Sequence, residues 1–459
     1  ATTLVVDNGA GTVKAGRIPD AQRKDFAKAR VPIDPVVLPN CTAKSRAEKK
    51  FFVADGVNTA VDLSALYIRR PHDRGYLVNW DLEQDVWERM CHRDVLGVKP
   101  SETNILVSEP LLSPSEIRDN LEEFAFETMG FQGFCSASSP LLAYNDHKHW
   151  DPDSVLSRTG CGILVDSGFS FTHVVPMFEG RVLHKACRRV DVGGKLLTNL
   201  LKETLSYRQW NLMDETLLLN AVKERLSFVS LDYDKDLATC KLRGAKNTIR
   251  RQYLLPTGQE GEDMFGKVID PYGEPEPESP SKRVRIDAPD AEASKSKGAH
   301  VRLDDEVILE MGNERFSVPE ILFNPDIIGM EQAGVGGAIQ NAIELLDPGL
   351  HPLLYSTVVC VGGNAHIPNY RERVLGEVRS TAPCDFEVSC PVMPQRADQS
   401  VWRGGARLAA SGKIDHVWVT KQEYDEKGHV LCRQKLKEID DIFSQKGKKA
   451  GASKGKDKQ

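Results

Sequence analysis

The feature that most constrains this chain is a short turn that occurs twice. Residues 3–16 read TLVVDNGAGTVKAG, and residues 163–176 read ILVDSGFSFTHVVP. Each stretch begins with an apolar run typical of a buried strand, passes through an aspartate and a glycine, and continues as a second extended run. The repetition of this strand–Asp–x–Gly turn predicts a duplicated α/β unit with one hairpin in each half.

The residue types in both turns suit the binding of phosphate. Glycines let backbone N–H groups approach anionic oxygens, and successive turn amides form a small anion site. An aspartate beside them can face the metal ion that accompanies phosphates, usually through water. A single hairpin of this kind is most often only a turn, so the prediction rests on the pair. Together the two hairpins predict one nucleotide clamp.

Three glycine pairs extend the pattern: Gly193-Gly194, Gly362-Gly363 and Gly404-Gly405. The first two lie where a helix or a strand–helix turn begins, and the N-termini of helices favour anions. Close packing of two backbone segments explains any one pair equally well. For Gly404-Gly405, which the pattern places at a turn into a helix, close packing is our interpretation.

Length and cysteine content narrow the class of protein. The chain has 459 residues, which exceeds one ordinary core and predicts two or more domains. Its ten cysteines form no CxxC pair, so no zinc or thioredoxin-type motif is indicated, and scattered thiols favour a reducing compartment. No apolar run approaches the roughly 20 residues that a membrane span needs. We therefore expect no association with a membrane.

Two segments depart from globular composition. From Pro256 to about Arg302 the chain is rich in Pro, Glu, Ser and Lys and lacks an apolar period, which predicts a disordered insertion. Residues 445–459 form a basic tail, also predicted to be disordered, although the whole chain has a net charge of −6. Lysines without interleaved aromatic residues support only nonspecific, salt-sensitive contact with DNA. A solubilising tail is the simpler interpretation.

Seven stretches resemble the actin family in order along the chain: DNGAGTVKAG, GYLVNWD, VDSGFSFTHVVP, VGGKLLTNLL, VKERLSFVSLD, VVCVGGN and SVWRGG. The resemblance extends to about residue 415 and is closest to the nuclear actin-related members found in SWR/SRCAP-type chromatin remodellers. It implies an α/β, actin-like ATPase fold with two ribonuclease-H-like domains around a nucleotide cleft. The implied domains are residues 1–155, joined by the returning segment 395–440, and residues 156–394.

The resemblance also implies a site for ATP or ADP, with or without Mg²⁺, although an empty site is compatible with it. Lys14 would be the phosphate cation, and Asp7 and Asp166 would face the metal through water. Lys223 and Glu224 would lie on the ribose and adenine wall, whereas the residues alone suggest a solvated pair on an amphipathic helix. The complete implied nucleotide-binding set is Asp7, Gly9, Ala10, Gly11, Lys14, Asp166, Gly168, Gly194, Lys223, Glu224, Gly362 and Gly363.

Several positions depart from the family pattern. Ala10 stands where actin has a serine that donates to the γ-phosphate, and Phe169 and Ser170 stand where it has a metal-side aspartate and a glycine. Near Ser138 the glutamine that positions the attacking water is missing. Asp398 stands about where a lysine packs beside the adenine.

These departures predict a nucleotide-binding pseudo-ATPase with little or no hydrolysis and no catalytic residues. Hydrolysis needs an oriented water and neutralised charge at the γ-phosphate. A serine is too short to replace the glutamine, and phenylalanine neither ligates metal nor orders water. His173 is retained, but one imidazole cannot supply the missing geometry. The alternative, an active actin-like ATPase of the cytoplasm or nucleus, stays open at this point.

The resemblance implies a non-catalytic subunit of a SWR/SRCAP-type remodelling complex, which supports variant histone exchange, nucleosome engagement and thereby transcription regulation. The implied partners are the remodeller ATPase subunit, a zinc-finger HIT-type subunit and, through the complex, the nucleosome. The region after Pro39 does not resemble the actin loop that reaches a neighbouring subunit, so we expect no filament. Lys282, Arg283 and Arg285 resemble a nuclear import signal, with an ordinary charged linker as the alternative. We expect a nuclear protein with some cytoplasmic pool.

Overall fold

The computed structural model of the chain describes residues 2–23, 34–45, 50–60, 63, 66–209, 211–256, 263–269, 307–393 and 396–444. These residues group into two compact units. The first comprises the described parts of Ala1–Ala60, Ala65–Leu196 and Glu320–Gln459, and the second comprises those of Val61–Ser64 and Leu197–Pro319. Both halves predicted from the sequence contribute sheets to the first unit, and the boundary predicted near residue 155 stays a prediction.

The strands of the described residues, in chain order, are β1 (Thr2–Asn8), β2 (Thr12–Ile18), β3 (Val36–Pro39), β4 (Thr42–Ser45), β5 (Phe51–Val53), β6 (Leu66–Arg69), β7 (His72–Asp73), β8 (Tyr76–Leu77), β9 (Thr103–Glu109), β10 (Gly133–Ser138), β11 (Gly162–Ser167), β12 (Thr172–Phe178), β13 (Arg181–Val182), β14 (Arg188–Val190), β15 (Arg251–Leu254), β16 (Lys267–Ile269), β17 (Ile308–Met311), β18 (Val358–Val361) and β19 (Val419–Thr420).

The α-helices in the same ranges are α1 (Trp80–Cys91), α2 (Ser115–Glu123), α3 (Ser139–Trp150), α4 (Val155–Thr159), α5 (Gly194–Arg208), α6 (Thr216–Leu226), α7 (Tyr233–Cys240), α8 (Glu314–Glu320), α9 (Val335–Glu344), α10 (His351–Ser356), α11 (Tyr370–Thr381), α12 (Ser400–Ala410), α13 (Lys421–Lys427) and α14 (His429–Phe443). None of these helices combines the length and the apolar character that crossing a membrane requires.

Two sheets of the first unit share one local arrangement. In the six-stranded sheet, ordered β19-β10-β9-β1-β2-β3, strand β1 pairs antiparallel with β2 and parallel with β9. In the five-stranded sheet, β11 pairs antiparallel with β12 and parallel with β18. The turns between β1 and β2 and between β11 and β12 are the two hairpins of the sequence pattern. The predicted duplication of an α/β unit is therefore confirmed.

Helices cover both faces of the six-stranded sheet. Successive strand residues point to opposite sides, so alternate residues of β1 are buried against different helices. Leu4 and Val6 of β1 pack in one hydrophobic cluster with Trp87 of α1. Val5 packs in the other cluster with Trp402 of α12, whose indole N–H donates to the Val5 carbonyl oxygen at 3.1 Å. This two-sided burial holds β1 rigidly and so positions the turn that follows it.

The second unit contains the antiparallel sheet β16-β15-β17 together with α6 and α7. Strand β16 lies inside the predicted disordered insertion, so that prediction is wrong for residues 263–269. Pairing of Val268 with Tyr253 and an ion pair of 2.9 Å between Asp263 and Arg225 order this polar stretch. The rest of the insertion, including Lys282, Arg283 and Arg285, lies outside the described residues, as does the basic tail.

The pair Gly404-Gly405 lies inside helix α12, so its placement at a turn into a helix is wrong. A Cβ atom on Gly404 would lie 1.8 Å from the carbonyl oxygen of Leu142 on α3, and one on Gly405 would lie 3.0 Å from Val5. Both glycines therefore let α12 approach α3 and the sheet closely. The close-packing interpretation is confirmed.

Candidate functional site

The first hairpin turn carries backbone N–H groups that suit an anion. The Gly9 N–H donates to the Asp7 carbonyl at 3.1 Å, and the Asn40 side-chain amide donates to the Gly9 carbonyl at 3.1 Å. The N–H groups of Ala10 and Gly11 have no hydrogen-bond partner among the described residues. An anionic oxygen bound at this turn would supply the partner that the protein does not.

Lys14 and Asp7 lie opposite each other in the register of β1 and β2. Their charged groups are 3.4 Å apart, and both side chains are largely buried. The Ser108 hydroxyl at the end of β9 donates to Asp7 at 2.8 Å and accepts the Asn8 N–H at 3.2 Å. The Asp7 carboxylate is thus held in one orientation, and the Lys14 ammonium is held beside the turn.

The second hairpin is seated on the start of helix α5. The N–H of Gly194 donates to the Gly168 carbonyl at 3.0 Å, and the N–H of Lys195 donates to the Phe169 carbonyl at 2.8 Å. A Cβ atom on Gly193 would lie 2.5 Å from the Ser170 backbone, so no larger residue fits there. The structure therefore places Gly194 against the hairpin, whereas its predicted contact with a ribose stays a prediction.

The loop after β18 packs against the same hairpin. Gly362 has a φ of +90°, and a Cβ atom there would lie 2.3 Å from the Ser167 carbonyl oxygen. The Asn364 side chain donates to the Gly168 carbonyl at 2.8 Å and to the Ser167 hydroxyl at 3.1 Å. Gly363 differs, because no atom lies within 4 Å of its Cβ position. Of the two predicted glycines, only Gly362 is required by the backbone of the loop.

Asp166 brings a second carboxylate to this region. Burial, followed by the nearby Asp7 charge, raises the pKa of its carboxyl group to about 6, although the Lys14 charge acts to lower it. The side chain of Phe169 lies 3.0 Å from the Cβ position of Gly11, so the turns that follow Asp166 and Asp7 lie side by side. The structure thus brings the hairpins that carry Asp7, Lys14 and Asp166 together, whereas the contact of these residues with a nucleotide or metal ion stays a prediction.

Phe169 fills the space between the two hairpin turns. Three of its side-chain atoms lie 3.0–3.1 Å from the Cβ position of Gly11. The Arg70 guanidinium lies 4.6 Å from the centre of the Phe169 ring and donates from Nη1 to the carbonyls of Ala10, Gly11 and Asn40 at 3.4, 3.0 and 3.1 Å. Burial lowers the pKa of Arg70, but an arginine remains cationic at physiological pH.

The remaining catalytic positions offer little to a water molecule. The Ser138 hydroxyl is buried and has no hydrogen-bond partner in the described structure, as is true of Nε2 of His173. Burial, followed by the charge of Arg189, lowers the pKa of His173 to about 4, so its imidazole is neutral. The Asp398 carboxylate accepts from Nε2 of His366 at 2.8 Å. As an anion, it cannot replace a lysine at this position.

Lys223 and Glu224 belong to the second compact unit. Lys223 is buried and donates to Thr198 at 3.0 Å and to Asn220 at 2.8 Å, while exposed Glu224 accepts from Asn220 at 2.8 Å. The interpretation as a solvated pair is therefore wrong for Lys223, because its ammonium group makes buried hydrogen bonds instead of facing solvent. The predicted contact of both residues with a nucleotide stays a prediction.

Sequence reasoning missed four residues that build the clamp: Ser108, Asn40, Asn364 and Arg70. Ser108 and Asn364 carried a usable signal, because each is a polar residue at or just after the carboxyl end of a buried strand, where α/β folds place their sites. Asn40 and Arg70 follow short strands without such a signal. Only tertiary contact with the first hairpin distinguishes them from ordinary surface residues.

The residues present fit the phosphates of a nucleotide well. The turn amides of Ala10 and Gly11, which have no partner among the described residues, can bind them together with the Lys14 ammonium. A divalent cation fits less well. Asp7 already accepts from Ser108 and lies 3.4 Å from the Lys14 ammonium, and Phe169 provides no ligand oxygen, which leaves Asp166 as the remaining carboxylate for a metal ion.

A pH effect is expected from Glu83, which lies on α1 beneath the first hairpin. Burial raises its carboxyl pKa to about 7, against hydrogen bonds from Asn8, Trp87 and Asn40 that lower it. The folded protein therefore keeps a proton that the unfolded chain loses near pH 4.5, so stability falls as pH rises from 4.5 to 7. Glu83→Gln should remove this loss and stabilise the protein above pH 7 by about 3 kcal/mol.

Thermal unfolding of wild type and variant across this pH range measures the effect. The melting temperatures should agree near pH 4.5 and separate progressively toward pH 7. Glu88→Gln on the exposed face of the same helix is the matched control and should leave the wild-type pH profile unchanged. Parallel profiles for wild type and Glu83→Gln would contradict the assignment.

Comparisons with known proteins agree with this architecture. The family model described as "Actin" matches residues 1–437. "Actin-related protein 6" of Oryza sativa subsp. indica is 38% identical over 439 residues, covering 94% of this chain and 98% of the rice protein. "Actin-related protein 6" of Arabidopsis thaliana is 37% identical over 437 residues, covering 94% and 99%. "Actin-like protein ARP6" of Cryptococcus neoformans is 34% identical over 440 residues, covering 94% and 84%.

The two sheets share one strand arrangement, and each carries a hairpin of the kind that binds phosphate. Together with the family match, this arrangement defines an actin-like ATPase fold. The chain belongs to the actin family, and it is an actin-related protein similar over nearly its whole length to proteins named actin-related protein 6. The actin family is generally nucleotide-binding, with ATP or ADP and Mg²⁺ as its typical ligands.

Proposed function

We propose that this chain is a non-catalytic, nucleotide-binding subunit of a SWR/SRCAP-type chromatin-remodelling complex. In that complex it supports ATP-dependent exchange of variant histones and engagement of the nucleosome, and thereby regulates transcription. Its similarity to proteins named actin-related protein 6 supports this function. The actin fold then serves as a docking platform whose shape matters more than its chemistry.

The observation that carries the proposal is the packing of Phe169 against Gly11 beneath Arg70. An apolar ring here neither ligates a metal nor orients a water molecule. Ala10 removes a hydroxyl donor from the first turn, and the buried Ser138 hydroxyl is too short to position a nucleophile. The chain's own residues can therefore bind phosphate without assembling the groups that hydrolysis needs.

The proposed partners are the remodeller ATPase subunit and a zinc-finger HIT-type subunit, and the nucleosome is contacted through the complex. We propose a nuclear location with a cytoplasmic pool and no filament formation. Purification of the tagged full chain from nuclei tests this directly. Recovery of both partners in stoichiometric amounts is expected, whereas sedimentation as polymers without them would contradict the proposal.

Nucleotide turnover distinguishes the proposal from an active actin-like ATPase. The purified chain with ATP and Mg²⁺ should release phosphate at least about a hundredfold more slowly than polymerising actin, because removal of one oriented charge-stabilising group typically costs a factor of 10²–10³. Bound nucleotide is measured separately after denaturing the protein. Turnover comparable to that of actin would establish the active ATPase instead.

A further inference from the structure

Helices α2 and α14 meet at a group of side chains that the nucleotide site does not use. Asp119 and Glu122 lie three residues apart on α2. His429 and Cys432 have the same spacing on α14. Residues at this spacing share one face of a helix, so each helix presents a pair of side chains that can bind a metal ion. The two pairs face each other, because Nδ1 of His429 lies 2.7 Å from a carboxylate oxygen of Glu122.

The potential ligand atoms of this group converge. One atom each from Asp119, Glu122 and His429 lies within 4.8 Å of the other two, and no other place among the described residues brings three such atoms so close. The Cys432 thiol is a further hydrogen-bond partner of the Glu122 carboxylate. In a tetrahedral zinc site, bonds of about 2.0–2.3 Å place neighbouring ligand atoms roughly 3.3–3.7 Å apart. Small side-chain rotations therefore suffice to close the group around one ion.

Burial leaves part of this group without a polar partner. Glu122 is 1% exposed, and Cys432 is 6% exposed. The Asp119 Oδ2 atom accepts from Arg433, whereas its Oδ1 atom is buried and has no hydrogen-bond partner among the described residues. A buried carboxylate oxygen without a partner is destabilising. A cation bound between the two helices would remove this cost.

Charges also balance when a divalent cation binds. Two carboxylates and a thiolate carry three negative charges. The ion supplies two positive charges, and the Arg433 guanidinium beside Asp119 supplies the third. The thiol proton leaves to solvent as the sulfur binds, and the ion replaces the proton that His429 and Glu122 share. Arg433 then orients Asp119 as an outer partner of the site.

We propose that this group is a zinc site in which α2 supplies two carboxylates, α14 supplies an imidazole and a thiolate, and the four ligands are Asp119, Glu122, His429 and Cys432. Imidazole and thiolate ligands favour zinc, whereas Mg²⁺ and Ca²⁺ prefer sites made of oxygen atoms.

The ion would join two helices that are distant in the sequence. Glu122 and His429 are 307 positions apart. Helix α14 contributes Leu431 to one hydrophobic cluster of the first unit and Phe443 to the other. Zinc would therefore fix a helix that packs in both clusters. The site is independent of nucleotide binding and of the proposed function.

The test measures zinc binding by the untagged full chain after its metal ions have been removed with a chelator. Titration with zinc chloride against a chromophoric chelator should give one equivalent with a Kd of about 1 μM or tighter. His429→Gln and Glu122→Gln should each weaken binding at least about a hundredfold, because loss of an outer partner alone costs a factor of 10–100. Zinc should also raise the melting temperature of the wild type and leave that of both variants unchanged.

His92→Gln is the matched control. His92 lies 3.2 Å from Asp94 in an exposed pair that has no third ligand in the described structure, so this variant should bind zinc as the wild type does. Cobalt(II) serves as a spectroscopic probe of the ligands. The wild type should show the visible absorption of a four-coordinate ion and a sulfur-to-metal charge-transfer band. Cys432→Ser should lose the charge-transfer band.

The outcomes separate a metal site from an ion pair between helices. Failure of the wild type to bind one equivalent of zinc would overturn the inference, as would equally tight binding by both His429→Gln and Glu122→Gln. A wild-type cobalt spectrum without the sulfur band would overturn the assignment of Cys432. If Glu122→Gln does not fold, His429→Gln keeps the test, because the His429 side chain is 35% exposed and its replacement leaves no buried cavity.

Discussion

Replacing Gly362 by alanine is expected to destabilise the first unit and to weaken nucleotide binding together. The φ of +90° and ψ of 173° at Gly362 belong to a region that is essentially restricted to glycine. The added Cβ would also lie 2.3 Å from the Ser167 carbonyl oxygen. Strain and overpacking together should cost about 3–5 kcal/mol. Because Ser167 precedes the turn of the second hairpin, ADP affinity should fall at least about tenfold.

The adjacent glycine supplies the control. No heavy atom lies within 4 Å of the Cβ position of Gly363. Gly363→Ala should therefore change stability by less than about 1 kcal/mol and leave ADP binding near the wild-type value. Apparent melting temperature and equilibrium binding measure both quantities in the same samples. Equal effects of the two substitutions would show that the loop relaxes and that its backbone is not constrained as described.

A second large effect is expected from Asp146→Ala on helix α3. The Asp146 and Arg403 side chains are each 2% exposed, and Arg403 donates to Asp146 from Nε at 3.1 Å and Nη2 at 3.0 Å. The Ser400 hydroxyl and Arg407 contact the same carboxylate. Removing Asp146 leaves buried guanidinium charge on α12 without a counter-charge, at a cost of about 3–5 kcal/mol.

Thermal unfolding should show this cost as a melting temperature lower by several degrees. Asp441→Ala is the matched control, because the ion pair between Arg181 and Asp441 is exposed and contributes less than about 1 kcal/mol. Similar melting temperatures for the two variants would indicate that water or a rearranged side chain compensates Arg403. Since α3 begins directly after Ser138, loosening this helix would also disturb the edge of the clamp.

The sequence identified the parts of the clamp whose chemistry is local. A hairpin needs its glycines and its apolar strand within about ten residues, so both turns could be read directly from the chain. The same holds for Lys14, which follows the first turn on the paired strand. Local composition gave a wrong prediction where contacts with distant residues order a polar segment. Residues 263–269 look polar and disordered, but they pair with β15 and form an ion pair with Arg225.

By itself, the sequence determined the duplicated hairpins, the actin-like fold class and the replacement of an aspartate by Phe169. The tertiary structure alone decided what that phenylalanine contacts. Gly11, Arg70 and Phe169 are far apart along the chain. Strand pairing forms each hairpin separately, and it is the packing of Phe169 against Gly11 and Arg70 that brings the two turns together. A cation–π contact depends on distance and orientation in space, and no spacing rule along the chain encodes either.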